Sequence, residues 1–207
     1  MFGKRRLLVP AWRHIGQHYT GKQIHLVTGY VDADGNAQGF GTLPDKRAKH
    51  IWAVNGLWAC IPRVSLGFEM HDLGGPSYDM LPKWYENRCL RDAKIPIFMP
   101  EDVPGWSNVH RFPLTEVMRA HNLQRPYFGE SLNYCIAFAA MFKVREIIFH
   151  GFNYPASPHT VGERASTEFW CGIAKANGVK LTPDGDLMKA DEWEEFYKPN
   201  QYGYRHT

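Results

Sequence analysis

Residues 131–154, SLNYCIAFAAMFKVREIIFHGFNY, decide how this chain is read. They spell a helix whose Ala137, Ala139 and Ala140 permit close packing on a sheet, then a short turn, then a buried strand over 146–150. EIIFH is a short apolar run of the kind found in parallel strands covered on both faces. Gly151 breaks it, and Asn153 and Tyr154 follow at the strand's carboxyl end, the edge where open α/β sheets place their ligands. Helix, turn, strand and polar loop in that order predict a nucleotide-type crevice rather than an all-β or all-helical binding module.

The sequence on either side repeats the alternation. QIHLVT (23–28) predicts a first core strand ending at Gly29, and HIWAVN (50–55) a second that stops at Asn55-Gly56. SLGFEMHD (65–72) alternates before the breaker Gly74-Gly75-Pro76, and short strands follow at 95–99 and 179–182. Helices are expected over 78–91, begun or kinked at Pro82, over 113–122, and over 161–177, with Gly178 as the stop. Residues 30–46 are polar and glycine-rich, with Asp32, Asp34 and Asp45, and suit either a hairpin-like excursion or a ligand loop. This spacing predicts an α/β fold, a mainly parallel sheet flanked by helices, as a single domain over 1–189. The tail, 190–207, is dense in Trp, Tyr and charge. It is expected to pack on its own domain or on a neighbouring subunit, so a homo-oligomer is expected.

At 207 residues the chain can bury one sizeable core. Its 24 basic and 21 acidic residues leave a formal +3, which permits a polyanionic partner without requiring one. Cys60, Cys89, Cys135 and Cys171 are widely spaced with no CxxC pair, which argues against a zinc or redox motif and for reduced thiols in a cytoplasmic protein. No apolar run approaches the ~20 residues of a membrane span. GxxxxGK[ST], HExxH, GxSxG and an intact GxGxxG are absent, which disfavours a P-loop kinase, a zincin, a serine hydrolase and the usual dinucleotide site.

Four constellations could carry chemistry. Asn55 stands at a strand's carboxyl end, where an amide can meet a phosphate, ribose or base; Asn-Gly is equally a common turn dipeptide. Alternation puts Glu69 and His71 on one face and Asp72 on the other, as an acid/base pair at the crevice or as a solvated strand end. In Phe128-Gly129-Glu130-Ser131, Gly129 permits close backbone approach and Ser131 is placed to cap a helix whose free N–H groups favour phosphate. Asn153, Tyr154 and His159 lie in a proline-bearing loop able to fold over a ligand, with His159 a candidate base. Arg164 is placed either to hold a phosphate or to pair with Glu168 one turn on. No metal-ligand set is evident. The acidic residues Asp32, Asp34, Asp45 and Asp72 leave Mg²⁺ open as a companion of a nucleotide.

Two blocks, HIWAVNGLWACIPRVSLGFEMHD (50–72) and FGESLNYCIAFAAMFKVREIIFHGFNY (128–154), resemble a family of Rossmann-like transferases. That family includes bacterial lipooligosaccharide sialyltransferases, archaeal hydroxymethyl-dihydropterin diphosphokinases and many phage proteins. Asn55 matches the family's strand-ending Asn, Ser131 its polar helix-opening loop, Ala137 and Ala140 its small residues, and Gly151 its post-strand glycine. The family's TSG is here Gly129-Glu130-Ser131, and its final Asp is Asn153. The resemblance implies a nucleotide or nucleotide-sugar donor and a glycosyltransferase activity, with a glycan or nucleic-acid acceptor. It puts His159 at the region where the sialyltransferases carry a loop His that removes the acceptor's proton. A non-catalytic nucleotide- or partner-binding protein and an ATP/Mg²⁺ diphosphotransferase are the alternatives.

Overall fold

The apolar runs pair in parallel. The computed structural model describes residues 9–31, 36–39, 43–71, 90–151 and 158–182. Helix α1 (Ala11–Tyr19) leads into strand β1 (Gln23–Val27), and a small antiparallel pair, β2 (Tyr30–Val31) and β3 (Ala37–Gln38), follows. Next come β4 (Ile51–Val54), the single-turn α2 (Leu57–Cys60), β5 (Val64–Phe68), α3 (Leu90–Asp92), β6 (Ile97–Met99) and β7 (Val109–Arg111). The chain ends its described course with α4 (Leu114–Ala120), α5 (Ser131–Met141), β8 (Glu146–His150), α6 (Pro158–Ala176) and β9 (Lys180–Thr182). Seven strands form one sheet in the order β7-β6-β5-β4-β1-β8-β9, and every pairing in it is parallel. The α/β, Rossmann-like expectation is met.

Strand order carries one reversal. From β1 the chain builds outward through β4 to β7, then returns to the other side of β1 for β8 and β9. The reversal lies between β1 and β8, the kind of position at which open α/β sheets take their ligands. Thr28 ties the two strand ends together: its N–H donates to the His150 carbonyl at 2.9 Å and its Oγ1 to the Gly151 carbonyl at 2.8 Å.

Register fixes the faces. Trp52 pairs with Leu26 and Leu66, and Phe68 with Val54 and Phe98. The rings of Trp52, Phe68 and Phe98 all meet Phe138 of α5, at 6.1, 6.1 and 4.8 Å between centroids. The residue between Leu66 and Phe68 points the other way. There Gly67 admits Trp58 of α2, whose Cγ would lie 3.1 Å from a Cβ at that position. Helix α5 is apolar nearly all round and buried on both sides, with the sheet on one and α6 on the other. Trp170 of α6 is fully buried and its Nε1 donates to the Tyr127 carbonyl at 2.7 Å.

Several boundaries differ from the sequence reading. The strand expected over 65–72 stops at Phe68, because Phe98 is its last partner in β6. Helix α6 starts at Pro158, so His159 lies in a helical first turn and not in a loop. Helix α1 and strand β7 were not expected, although Trp12, Ile15 and Tyr19 give α1 an apolar stripe at helical spacing. Only Gly16 and Tyr19 of α1 are buried, and it is held by Tyr19, whose hydroxyl donates to the Ser65 carbonyl at 3.0 Å. Of the helix expected over 78–91, only Leu90 and Arg91 fall among the described residues, and the tail lies outside them. Cys60, Cys135 and Cys171 are free thiols. Among the described residues no helix is long and apolar enough to cross a membrane.

Candidate functional site

Strand β4 ends in Asn55-Gly56, and both residues take left-handed backbone angles, φ 47° and 75°. Asparagine and glycine are the residues that tolerate this, so the turn reading of Asn55 is correct. The turn also has a consequence for chemistry. The Asn55 N–H donates to the Phe68 carbonyl at 3.0 Å, while its side-chain Oδ1 is buried and meets no donor among the described residues. A buried amide oxygen without a donor is uncommon, because it forfeits its hydration.

One strand over, the chain continues extended past β5. The Glu69 N–H donates to the Phe98 carbonyl at 2.8 Å, and the side chain is fully buried. Its Oε1 accepts a short hydrogen bond from Nδ1 of His71, whose ring is about one-third exposed. The shared face expected from alternation is therefore realised as a direct contact. The hydrogen bond to Glu69 raises the His71 pKa above its ordinary 6.5 against the opposing effect of burial. Holding Nδ1 on a carboxylate leaves Nε2 as the ring nitrogen able to exchange a proton. His71 borders a cavity of about 230 Å³ with Met99, Pro100, Glu101, Asp102 and Val103, beyond the carboxyl end of β6.

The third constellation is built differently from its expectation. Glu130, not Ser131, occupies the N-cap position of α5, and no side chain caps the helix there. Ser131 is the first helical residue and is 8% exposed. The Gly129 N–H is taken by Asn133 Oδ1 at 2.8 Å and Ser166 Oγ at 3.2 Å, so part of the expected phosphate seat is filled by protein groups. The close approach that glycine permits is to α6: a Cβ on Gly129 would lie 2.6 Å from Ser166 Oγ and 3.2 Å from Glu163 Cα.

Behind it runs a buried polar chain that sequence reading missed. Asn133 Nδ2 donates to Thr167 Oγ1 at 2.5 Å, and Thr167 Oγ1 donates to Glu130 Oε1 at 2.5 Å. Burial, with a smaller push from Glu163, lifts the Glu130 pKa to about 7. Asn133 inside an apolar helix was the available signal, since a buried amide demands partners. Thr167 lies 34 residues further along and gave none.

Arg164 pairs with Glu168 at 2.9 Å, the ion-pair reading. Asp72, Asn153, Tyr154 and the His159 side chain lie outside the described residues. Asn55, Glu69 and His71 thus share the carboxyl edge with the start of α5. Among the described residues no group of three or more His, Cys, Asp or Glu side chains could hold a metal ion. No family model, curated protein or solved structure matches the chain.

Proposed function

We propose that the protein is a nucleotide-dependent transferase, in first place a glycosyltransferase using a nucleotide-sugar donor, with His71 as general base. The carrying observation is the His71–Glu69 pair: a fully buried carboxylate orienting a partly exposed imidazole beside a cavity at the sheet's carboxyl edge. Nε2 of His71 takes the proton of an acceptor hydroxyl as its oxygen bonds to the donor's sugar carbon. The bond from that carbon to the phosphate oxygen breaks, and its electron pair leaves with the nucleotide. Asn55 Oδ1, which meets no donor among the described residues, is suited to accept from a ribose hydroxyl or a base amine. The acceptor is a glycan or a nucleic acid.

A panel of nucleotides and nucleotide sugars, with and without Mg²⁺, tests this by thermal shift and turnover. A ligand at 100 times its Kd adds ~2.7 kcal/mol of stability. His71→Ala should lower kcat by about 10²–10⁴-fold with the donor still bound. Asn55→Ala should weaken the donor itself. In the wild type, kcat/KM should rise with pH and level off only above 6.5, because Glu69 raises the base's pKa. A panel without any hit, or turnover indifferent to His71→Ala, defeats the reading. A non-catalytic partner-binding protein is the second reading, favoured by the filling of the Gly129 N–H, part of the expected phosphate seat, by Asn133 and Ser166.

A further inference from the structure

The opposite, amino-terminal edge of the sheet carries a second concavity, of about 590 Å³, which shares no lining residue with the cavity beside His71. Its walls are the residues that lead into three neighbouring strands: Lys22 before β1, Lys49 and His50 before β4, and Arg145 before β8. The ladder holds their backbones in place. The His25 N–H donates to the His50 carbonyl at 2.8 Å, and the Arg145 N–H to the Lys22 carbonyl at 2.8 Å. The remaining wall is the loop 44–48, pinned by Arg63. Its guanidinium donates to the carbonyls of Lys46 at 2.6 Å, Ala48 at 3.3 Å, Asp45 at 3.3 Å and Pro44 at 3.4 Å.

Charge in this concavity is one-sided. Four of its lining residues are Lys or Arg, and one, Asp45, is a carboxylate already paired with Arg47 at 3.1 Å. Lys22, Lys49 and Arg145 make no ion pair with a described carboxylate, and Lys22 Nζ lies 3.4 Å from the His18 ring nitrogens. Strands β8, β1 and β4 are adjacent, at about 4.8 Å spacing, so the backbones that carry Arg145, Lys22 and Lys49 span roughly 10 Å. Three cations entering from adjacent strands match the several charged oxygens of two or three linked phosphates better than the fewer charges of a single one. The volume also falls in the ~300–1,000 Å³ range of small-molecule sites.

We infer that this amino-edge cavity is a binding site for a small molecule carrying a di- or triphosphate group, separate from the site at the carboxyl edge. His50 reports on it from within. Its pKa lies below the ordinary 6.5 because of burial and the charges of Lys22, His18 and Lys49, with the rings of His18 and Tyr19 packed edge-on against it. An anion seated among those cations reverses the local potential and moves the His50 titration upward.

The test is calorimetric titration of the full chain with pyrophosphate and tripolyphosphate at fixed ionic strength, with orthophosphate and sulfate as comparators. His50 is followed by NMR. Pyrophosphate should bind more tightly than orthophosphate and raise the His50 midpoint. Lys49→Gln with Arg145→Gln should weaken it at least tenfold, while His71→Ala leaves it unchanged; both variants carry near-surface changes and are checked for a retained melting transition. Equal affinity in the double variant, loss of binding in His71→Ala, or no preference over sulfate overturns the inference. So does binding of a short single-stranded oligonucleotide where pyrophosphate does not bind, which would mean a nucleic-acid backbone groove. The outcome is independent of the transferase reading, which rests on residues at the other edge.

Discussion

Single residues set the character of this protein at the α5–α6 contact. Glu130 is buried with its carboxyl lifted from an ordinary 4.5 to about 7, so the folded state holds its proton more tightly than the unfolded chain does. A raised folded pKa contributes stability that is full below 4.5 and lost as pH rises through 7. Glu130→Gln, which keeps the acceptor for Thr167 without the charge, should therefore match the wild type near pH 4 and exceed it near pH 8. The gain should be up to about 3 kcal/mol, read from urea unfolding at the two pH values. Gly129→Ala should act in the opposite direction. The added methyl meets Ser166 Oγ and the α6 backbone, and overpacking of this kind costs about 1–3 kcal/mol. A melting temperature equal to wild type would show that α6 moves aside freely. His71 and Asn55 were legible at this scale, because a polar residue ending an apolar run stands out. Glu130 was not, because its burial is supplied by a helix distant in sequence.

Among elements, α5 is the one on which the fold turns. Its alanines let it lie close to the sheet, and Phe138 fills the space they leave, touching Trp52, Phe68, Phe98, Phe112 and Phe142. Phe138 is fully buried, and Phe138→Ala should cost about 3–5 kcal/mol by loss of transfer energy and creation of a cavity. Chemical denaturation measures this; a loss under 1 kcal/mol would mean that the aromatic cluster collapses into the gap. The strands and α5 were readable because each has a complete local pattern: a run of buried residues bounded by glycine or a polar turn. Strand β7 was not. It has three residues, of which only Val109 is buried, and it exists because β6 offers a free edge.

On the scale of the whole molecule, the sheet is stitched across its reversal by one carboxylate. Glu146 of β8 accepts from Gln23 of β1 at 2.7 Å and from Thr182 of β9 at 2.7 Å, and pairs with Lys180 at 2.9 Å. Lys180, Thr182 and Gln23 hold its pKa down to about 2. A depressed folded pKa contributes stability that is present above the ordinary 4.5 and lost as pH falls through 2. In an acid titration followed by melting temperature, the wild type's advantage over Glu146→Gln should shrink across that window; a constant gap would mean that the three strands do not depend on the charge. The sequence by itself determined the class of fold, because alternation of apolar runs, glycine breaks and strand-ending polar residues are local properties of the chain. The tertiary structure alone decided the strand order, the seating of His71 on Glu69, the buried Glu130–Thr167–Asn133 chain and the gathering of cations at the amino edge. Each of these joins residues of separate elements, and only the packing of those elements determines which groups meet, at what distance and out of reach of water.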